Sequence, residues 1–395
     1  MRMRVGKVPV LAAIAAFVVV FGTIAAASNN WYEFSDFFCL YHGARSLVLG
    51  HDPYDASWWL QATGGLRPTP SGGLARTSCY GGPGYPLWTF LAMLPIGALP
   101  LEPAAIVWES LSIGAALAGA WWAWRAVQGP ARFALLYLAL LLASQPFWLL
   151  VIYGQITGVM LAIAGLLALL LTRARERAAG VALAALALKP QCVFLTLPAF
   201  ALRGLVERRW RLLMAAALAA VAMTVAPMIF VPAWPLEWWV EVSARRMQVV
   251  SLLPTAWGFA GDVLANASIG AVLIAAVLAA TWILLRGRRV DDVGLLALTL
   301  PLSLFATTYA WTYDHLVLFV SYAFVLSRAS STAGVRLPLV LGTVALAGPV
   351  PWVLYAIALT RLNESLSAWI AAATALLVVF ALRAGAPSMT SRSSV

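Results

Sequence analysis

Charge is scarce in this sequence. Asp, Glu, Lys and Arg together make up 10% of its 395 residues, against about 25% in a soluble globular protein. Hydrophobic residues supply 63%, and mean hydropathy is +0.88. This balance excludes a soluble domain and a disordered chain, and it predicts an integral membrane protein with little mass outside the bilayer. Cysteine is also rare. Three residues without a C-x-x-C pair exclude a disulfide scaffold and the usual zinc and thiol-redox motifs. Of the three histidines, His42 and His51 stand nine apart and do not share a helix face, so no metal is expected. HExxH, P-loop and GxSxG motifs are missing, and no GxGxxG sits in a strand context. No cofactor is expected either.

What is present in excess is arginine. The 26 basic residues outnumber the 15 acidic ones, for a net charge of +11. In a membrane protein such a surplus flanks helices on the cytoplasmic side and sets topology. It therefore does not argue for nucleic acid as a partner.

The amino end, with Arg2, Arg4 and Lys7, leads into an apolar run from Val8 to Ala27. That run is too long for a typical signal-peptide core and reads as a first spanning helix with its N-terminus inside. The longest polar stretch follows, from about 28 to 85, and is expected outside the cytoplasm. Further apolar segments lie near 86–99, 104–124, 133–151, 155–172, 179–202, 212–231, 263–285, 293–308, 314–327, 337–359 and 366–383. With the first helix these make twelve. Pro146, Pro190, Pro198 and Pro301 interrupt them, and breaks at membrane depth usually face protein or a wet cavity.

Simple alternation over these twelve places Arg173, Arg175 and Arg177 outside, against the positive-inside trend. Splitting 179–202 at Lys189-Pro190 repairs this, but then demands a re-entrant piece somewhere in 86–151. The sequence leaves the two paths open.

The first loop holds four of the acidic residues: Glu33, Asp36, Asp52 and Asp55. From 35 to 50 the residues Phe37, Leu40, Tyr41, Ala44, Leu47 and Val48 repeat at helical spacing. Ser35 is a suitable N-cap and Gly50 a suitable stop. This predicts an interfacial helix with Asp36 in its first turn, at lipid-headgroup depth. Asp36 is a candidate base, and equally a carboxylate favoured there by the helix dipole. Asp52-Pro-Tyr-Asp55 reads as a turn capped by its carboxylates. Cys39 and Cys79 share the loop; they either pair in an oxidising compartment or remain two reduced bystanders.

Three other places concentrate polar groups. Lys189, one of two lysines, sits in Ala-Leu-Lys-Pro-Gln within an apolar segment, where a charge usually faces a cavity or partner such as phosphate; the competing reading is a snorkelling lysine. Asp314 and His315 end the run Tyr309-Ala-Trp-Thr-Tyr-Asp-His. His315 is placed to donate to a phosphate and Asp314 to hold neighbouring backbone; the competing reading is an aromatic belt with a capping Asp. The stretch 231–258 carries Trp234, Trp238, Trp239, Arg245 and Arg246. Guanidinium matches phosphate oxygens, so the two arginines are candidate anion ligands, against a solvated amphipathic stretch.

Taken in order, these residues resemble glycosyltransferase family 87 of the GT-C superfamily. The resemblance rests on Ser35-Asp-Phe-Phe, Tyr41, Ala44-Arg45, Leu47, Gly50 and Asp52-Pro-Tyr-Asp55 after a first spanning helix. It continues with Gly84-Tyr-Pro86, Gly154-Gln155, Leu188-Lys-Pro190 and Tyr313-Asp-His315. Leu87 stands where members commonly have a second proline, and the Gly-, Pro- and Ser-rich segment 61–84 does not align.

The resemblance implies an all-α polytopic GT-C-like bundle of about twelve transmembrane helices, with interfacial helices in the first extracytoplasmic loop (28–85). A single transmembrane domain over 1–385 would precede a disordered cytoplasmic tail, 386–395. It implies a cell-membrane enzyme, multi-pass, active on the extracytoplasmic face. Such an enzyme moves a hexose, mannose first among candidates, from a polyprenyl-phosphate sugar to a lipid or glycan acceptor of the envelope. Transfer is inverting, and the first-loop base role falls on Asp36. Expected substrate-binding residues are Lys189, His315, Asp314, Arg245, Arg246, Gln155, Tyr41 and Tyr85. Two other classes are weighed against this: a lipid or glycolipid flippase, which would favour repeat symmetry, and a non-catalytic assembly factor.

Overall fold

A computed structural model of the chain describes residues 22–23, 32–68, 74–76, 79, 82–331 and 336–384, without the side chains of 67–68, 74–76, 245–248 and 331. The first apolar segment is described only at Gly22 and Thr23, where Gly22 presses against Ser110. The proposed tail, 386–395, lies outside the described residues.

Helix α1 (Asp36–Val48) runs between Ser35 and Gly50, whose φ of +76° suits glycine. Nine of its residues are buried. It is therefore enclosed on most sides, whereas the sequence pattern predicts one face resting on an interface. The covering comes from α2 (Ala56–Thr63), α3 (Leu87–Ala92) and α4 (Leu94–Gly97). Asp55 caps α2 through the amides of Ser57 and Trp58, and Asp52 accepts from the amide of Tyr54, so both carboxylates perform the turn roles their motif suggests. Between α2 and α3 lies a two-stranded antiparallel ribbon, β1 (Leu66–Pro68) with β2 (Leu74–Arg76). Cys39 and Cys79 form a disulfide. The indole of Trp59 donates to the Cys79 carbonyl at 2.7 Å.

The segment 86–99 does not cross the molecule. Both its ends lie beside the first loop: Tyr54 donates to the Tyr85 carbonyl (2.7 Å), and Tyr41 to that of Leu99 (2.9 Å). Two short helices broken at Met93 fold back there, against the expectation of a spanning segment.

From this end, α5 (Leu101–Ala126) runs to an opposite end rich in arginine. α6 (Ala131–Ala143) and α7 (Gln145–Tyr153) return, bent by 47° about Ser144, which caps α7. α8 (Thr157–Thr172) goes back to Arg173. It packs on α5 with little between the backbones, since a Cβ at Gly158 or Gly165 would strike the carbonyls of Ser112 or Gly119.

The next pair resolves the topological conflict. α9 (Glu176–Ala185) leaves the arginine end, breaks into 3-10 turns at 186–188 and 190–193, and returns as α10 (Thr196–Val206). Arg209 bonds both Glu176 (3.0 Å) and Asp292 (2.7 Å), and Arg203 reaches Asp292 (3.1 Å). Both feet of the hairpin thus stand at one end, with Lys189 at its tip. The start of α10 is buried in protein, and the Ser303 hydroxyl accepts from its orphan amides at Leu195 and Thr196.

α11 (Trp210–Val225), extended by a 3-10 turn to Ile229, leads to α12 (Trp234–Val249), whose Trp238 indole approaches the Gly84 carbonyl. α13 (Ala256–Val263), α14 (Ile269–Leu285), α15 (Asp292–Ala306) and α16 (Phe319–Ser331) follow. α17 (Arg336–Ala347), α18 (Pro349–Arg361) and α19 (Ala368–Ala384) complete the described helices. The protein is thus almost wholly helical. Among the described residues four helices are long and apolar enough to cross a membrane, five if the bent α6–α7 pair counts as one span.

This path predicts labelling. Single cysteines at the exposed positions 173 and 288 should react with an impermeant maleimide from one membrane side, and one at 60 from the other. Labelling of 173 from the same side as 60 would rule out the hairpin path.

Candidate active site

Gln155 is the hub of the buried polar groups at the first-loop end. Gly154 ends α7 in the left-handed conformation, φ +59°, where a Cβ would also press on Phe37. The Trp108 indole holds the Gly154 carbonyl at 2.7 Å. This turn fixes Gln155 against Asp36, and a Gly-Gln pair suits it because only glycine fits between helix end and α1.

The donor inventory decides how the amide points. Lys189 Nζ lies 3.1 Å from Gln155 Oε1, and an ammonium only donates. The Tyr85 hydroxyl donates to the same oxygen at 3.2 Å. The Gln155 NH₂ is then left to donate to Asp36 Oδ2, as it does. Asp36 also begins α1, where the helix amino end favours a carboxylate.

Lys189 is held from every side. Its backbone sits between two 3-10 turns, and α3 steadies the first: the Trp88 indole donates to Ala187 O (3.0 Å) and the Thr89 hydroxyl to Leu188 O (2.8 Å). Its ammonium pairs with Asp314 Oδ1 at 2.5 Å and lies 4.5 Å from the centre of the Tyr313 ring. Lys189 and Asp314 are 2% and 0% exposed. The carboxylate of Asp314 thus takes the place the sequence suggests for phosphate. Its other oxygen accepts from the Trp311 amide at 3.0 Å, the backbone-holding role expected for it.

The loop carrying Asp314 is tied down at Thr312. The Thr312 amide donates to Glu364 Oε2 at 2.9 Å, and Gln145 Nε2 to the Thr312 hydroxyl at 3.0 Å. Burial pushes the Glu364 carboxyl up to about 7, against the lowering effect of its bonds from Thr312.

Of the expected residues, Asp36, Tyr85, Gln155, Lys189 and Asp314 meet. His315 is buried nearby, and both its ring nitrogens lack a hydrogen-bond partner among the described residues. Tyr41 turns its hydroxyl to Leu99 instead. Arg245 and Arg246 lie on α12, but their side chains fall outside the described residues. Sequence reasoning did not single out Tyr313, Glu364 or Gln145. Tyr313 stood inside a noted motif, whereas nothing local marks Glu364, which acts across 52 residues. Among the described residues no group of three His, Cys, Asp or Glu could hold a metal ion.

Buried acid, amide and ammonium thus stand in series on a helical membrane scaffold. Residues 84–312, more than half of the chain, match the model of glycosyltransferase family 87. The chain belongs to that family. No curated protein and no solved structure matches it. The matched range includes Tyr85, Gln155 and Lys189; Asp314 lies just beyond its end, and Asp36 lies well before its start.

Removing one member of a buried ion pair strands the other, at about 3–5 kcal/mol. Lys189→Met and Asp314→Asn should each destabilise by roughly that much, and the double variant by clearly less than their sum. Detergent-solubilised unfolding curves measure this, and additive losses would show that the pair is not coupled.

Glu364 gives a pH signature. Its folded pKa lies above its unfolded value, so the folded state binds the extra proton. Its stabilising contribution is therefore largest at low pH and is lost as pH rises from about 4.5 to about 7. Glu364→Gln should flatten that part of a thermal-midpoint profile. An unchanged slope would assign it to another group.

Proposed function

We propose that the chain is a GT-C-type hexosyltransferase. It moves a sugar, mannose first among candidates, from polyprenyl phosphate to a lipid or glycan acceptor of the cell envelope. Family membership supports the transfer of a sugar. The single observation that carries the mechanism is the series Asp36–Gln155–Lys189–Asp314, which holds one carboxylate of the first loop in a fixed pose.

In the proposed reaction Asp36 accepts the proton of the acceptor hydroxyl as its oxygen bonds to the anomeric carbon. The bond from that carbon to the lipid-phosphate oxygen breaks on the opposite face, and its electron pair leaves with the phosphate. Configuration inverts. One carboxylate suffices, because a phosphate is a good leaving group that needs charge stabilisation rather than an acid. Lys189 is a positioning residue in this reading: its ammonium is engaged by Asp314, and it acts on Asp36 through Gln155. Stabilisation of the phosphate then falls to His315, whose nitrogens have no partner among the described residues, and to Arg245 and Arg246.

Sidedness has two supports. The Cys39–Cys79 disulfide suits an oxidising compartment. The loops holding Arg173–Arg177, Arg203–Arg211 and Arg286–Arg289 gather at the other end, as the positive-inside trend requires of a cytoplasmic face. The described path, with the first segment added and the α9–α10 hairpin counted as two short passes, accommodates a bundle of about twelve.

The test is transfer from a labelled polyprenyl-phosphate hexose to an envelope lipid extract. Asp36→Asn should lower kcat by about 10²–10⁴-fold, the usual contribution of a general base. Lys189→Met, if folded, should also depress kcat while leaving donor KM largely unchanged. Full activity of Asp36→Asn would overturn the base assignment. A wild type that transfers no sugar but moves labelled lipid across vesicles would point to transport.

A further inference from the structure

A wide cavity lies at the arginine end, far from Asp36, and the proposed reaction does not use it. Its volume is about 1460 Å³. Six arginines and four carboxylates line it, leaving two net positive charges. Three of the arginines are engaged: Arg203 with Glu207 and Asp292, Arg209 with Glu176 and Asp292, and Arg328 with Asp291. The other three, Arg175, Arg177 and Arg211, are exposed and have no ion-pair partner among the described residues.

The two halves of the lining differ in character. The unpaired guanidinium groups come from the starts of α9 and α11, where the chain turns back at the end of the bundle. The floor is apolar, with Leu171, Val293 and Phe324 nearly buried. It is built from the ends of α8, α15 and α16, whose apolar segments continue away from the cavity. A cationic rim over an apolar floor, at the level where membrane helices end, matches an amphiphile with an anionic head. A soluble anion would gain nothing from the floor.

We propose that this cavity binds the phosphate headgroup of an anionic membrane lipid, with Arg175, Arg177 and Arg211 as phosphate ligands and Leu171, Val293 and Phe324 against the glycerol and first acyl carbons. Guanidinium presents paired donors that match phosphate oxygens. Basic residues attract the anionic lipids of a membrane surface, and basic pockets between helices hold lipid headgroups by the same physics. The engaged arginines have a separate part: their carboxylates keep the feet of the α9–α10 hairpin together and define the pocket wall.

Native mass spectrometry tests this on the full chain in nanodiscs of phosphatidylcholine containing one-tenth phosphatidylglycerol. The wild type should retain phosphatidylglycerol at about five times its bulk share, as a tenfold preference for that lipid gives. The triple variant Arg175→Glu, Arg177→Glu, Arg211→Glu should retain it at the bulk share. Should that variant fail to fold, Arg175→Gln with Arg211→Gln is expected to lose most of the enrichment. A parallel titration of inorganic pyrophosphate into phosphatidylcholine-only nanodiscs separates the sources. Saturable pyrophosphate binding without lipid enrichment would overturn the lipid assignment in favour of a soluble anion. Wild-type retention at the bulk share, or equal enrichment in a folded variant, would overturn it as well. None of these readouts depends on sugar transfer.

Discussion

The ion pair between Lys189 and Asp314 is the constraint around which this molecule is arranged. An ammonium and a carboxylate buried among apolar helices are tolerable only together and only if their remaining hydrogen-bonding capacity is met. The protein meets it from three directions. Gln155 and the Tyr313 ring take up the ammonium, and the Trp311 amide takes up the carboxylate. The fold must therefore bring the tip of one hairpin, the turn between α7 and α8, and the loop after α15 to one point. Asp36 enters the same network through Gln155, so the candidate base inherits its position from the pair.

The broken α9–α10 helix pair follows from that requirement. A continuous helix through 179–202 would carry Lys189 past the site and put its ends on opposite faces. Pro190 prevents continuation, since it lacks an amide hydrogen and clashes with the preceding turn. The backbone groups freed by the break are taken up by protein: Trp88 and Thr89 bind the carbonyls of Ala187 and Leu188, and Ser303 receives the amides of Leu195 and Thr196. This is the condition for irregular backbone at membrane depth. The same need explains why α3 and α4 stay beside the first loop. α3 supplies the donors that steady the lysine turn, and a spanning helix there could not.

Much of this could be read from the residues, and the parts that could not share a cause. Asp55 announces its helix because caps act within three residues, whereas Ser35 stands at the N-cap position of α1 but turns its hydroxyl to the Tyr32 carbonyl. Lys189-Pro190 announces a break because each residue is costly in a helix for its own local reason. Gly154 and Gln155 could be noticed, but their purpose depends on Phe37 and Trp108, which are distant in sequence. The segment 86–99 misleads because apolarity measures burial, and burial inside protein looks the same as burial in lipid. The enclosure of α1 has the same origin: an amphipathic pattern records one apolar face, while the disulfide and Trp59 cover residues on the other. Glu364 is invisible because a single carboxylate after an apolar segment carries no periodic or spacing signal.

The two ends of the bundle show the same residue types under opposite conditions. At the arginine end, Arg203 and Glu207 are 24% and 43% exposed, and such pairs are worth about 0–1 kcal/mol each. Charges there can be exchanged among neighbours, and Arg209 already shares three carboxylates. That freedom leaves surplus guanidinium groups available to an external anion. At the first-loop end the pair is sealed from water, so its charges are committed and any loss is felt through Gln155 at Asp36. A surface that can trade partners suits recognition of a variable lipid. A sealed network suits chemistry, because a base does its work from one fixed pose. The division of the arginine and carboxylate inventory between these ends is thus a consequence of dielectric surroundings rather than of residue type.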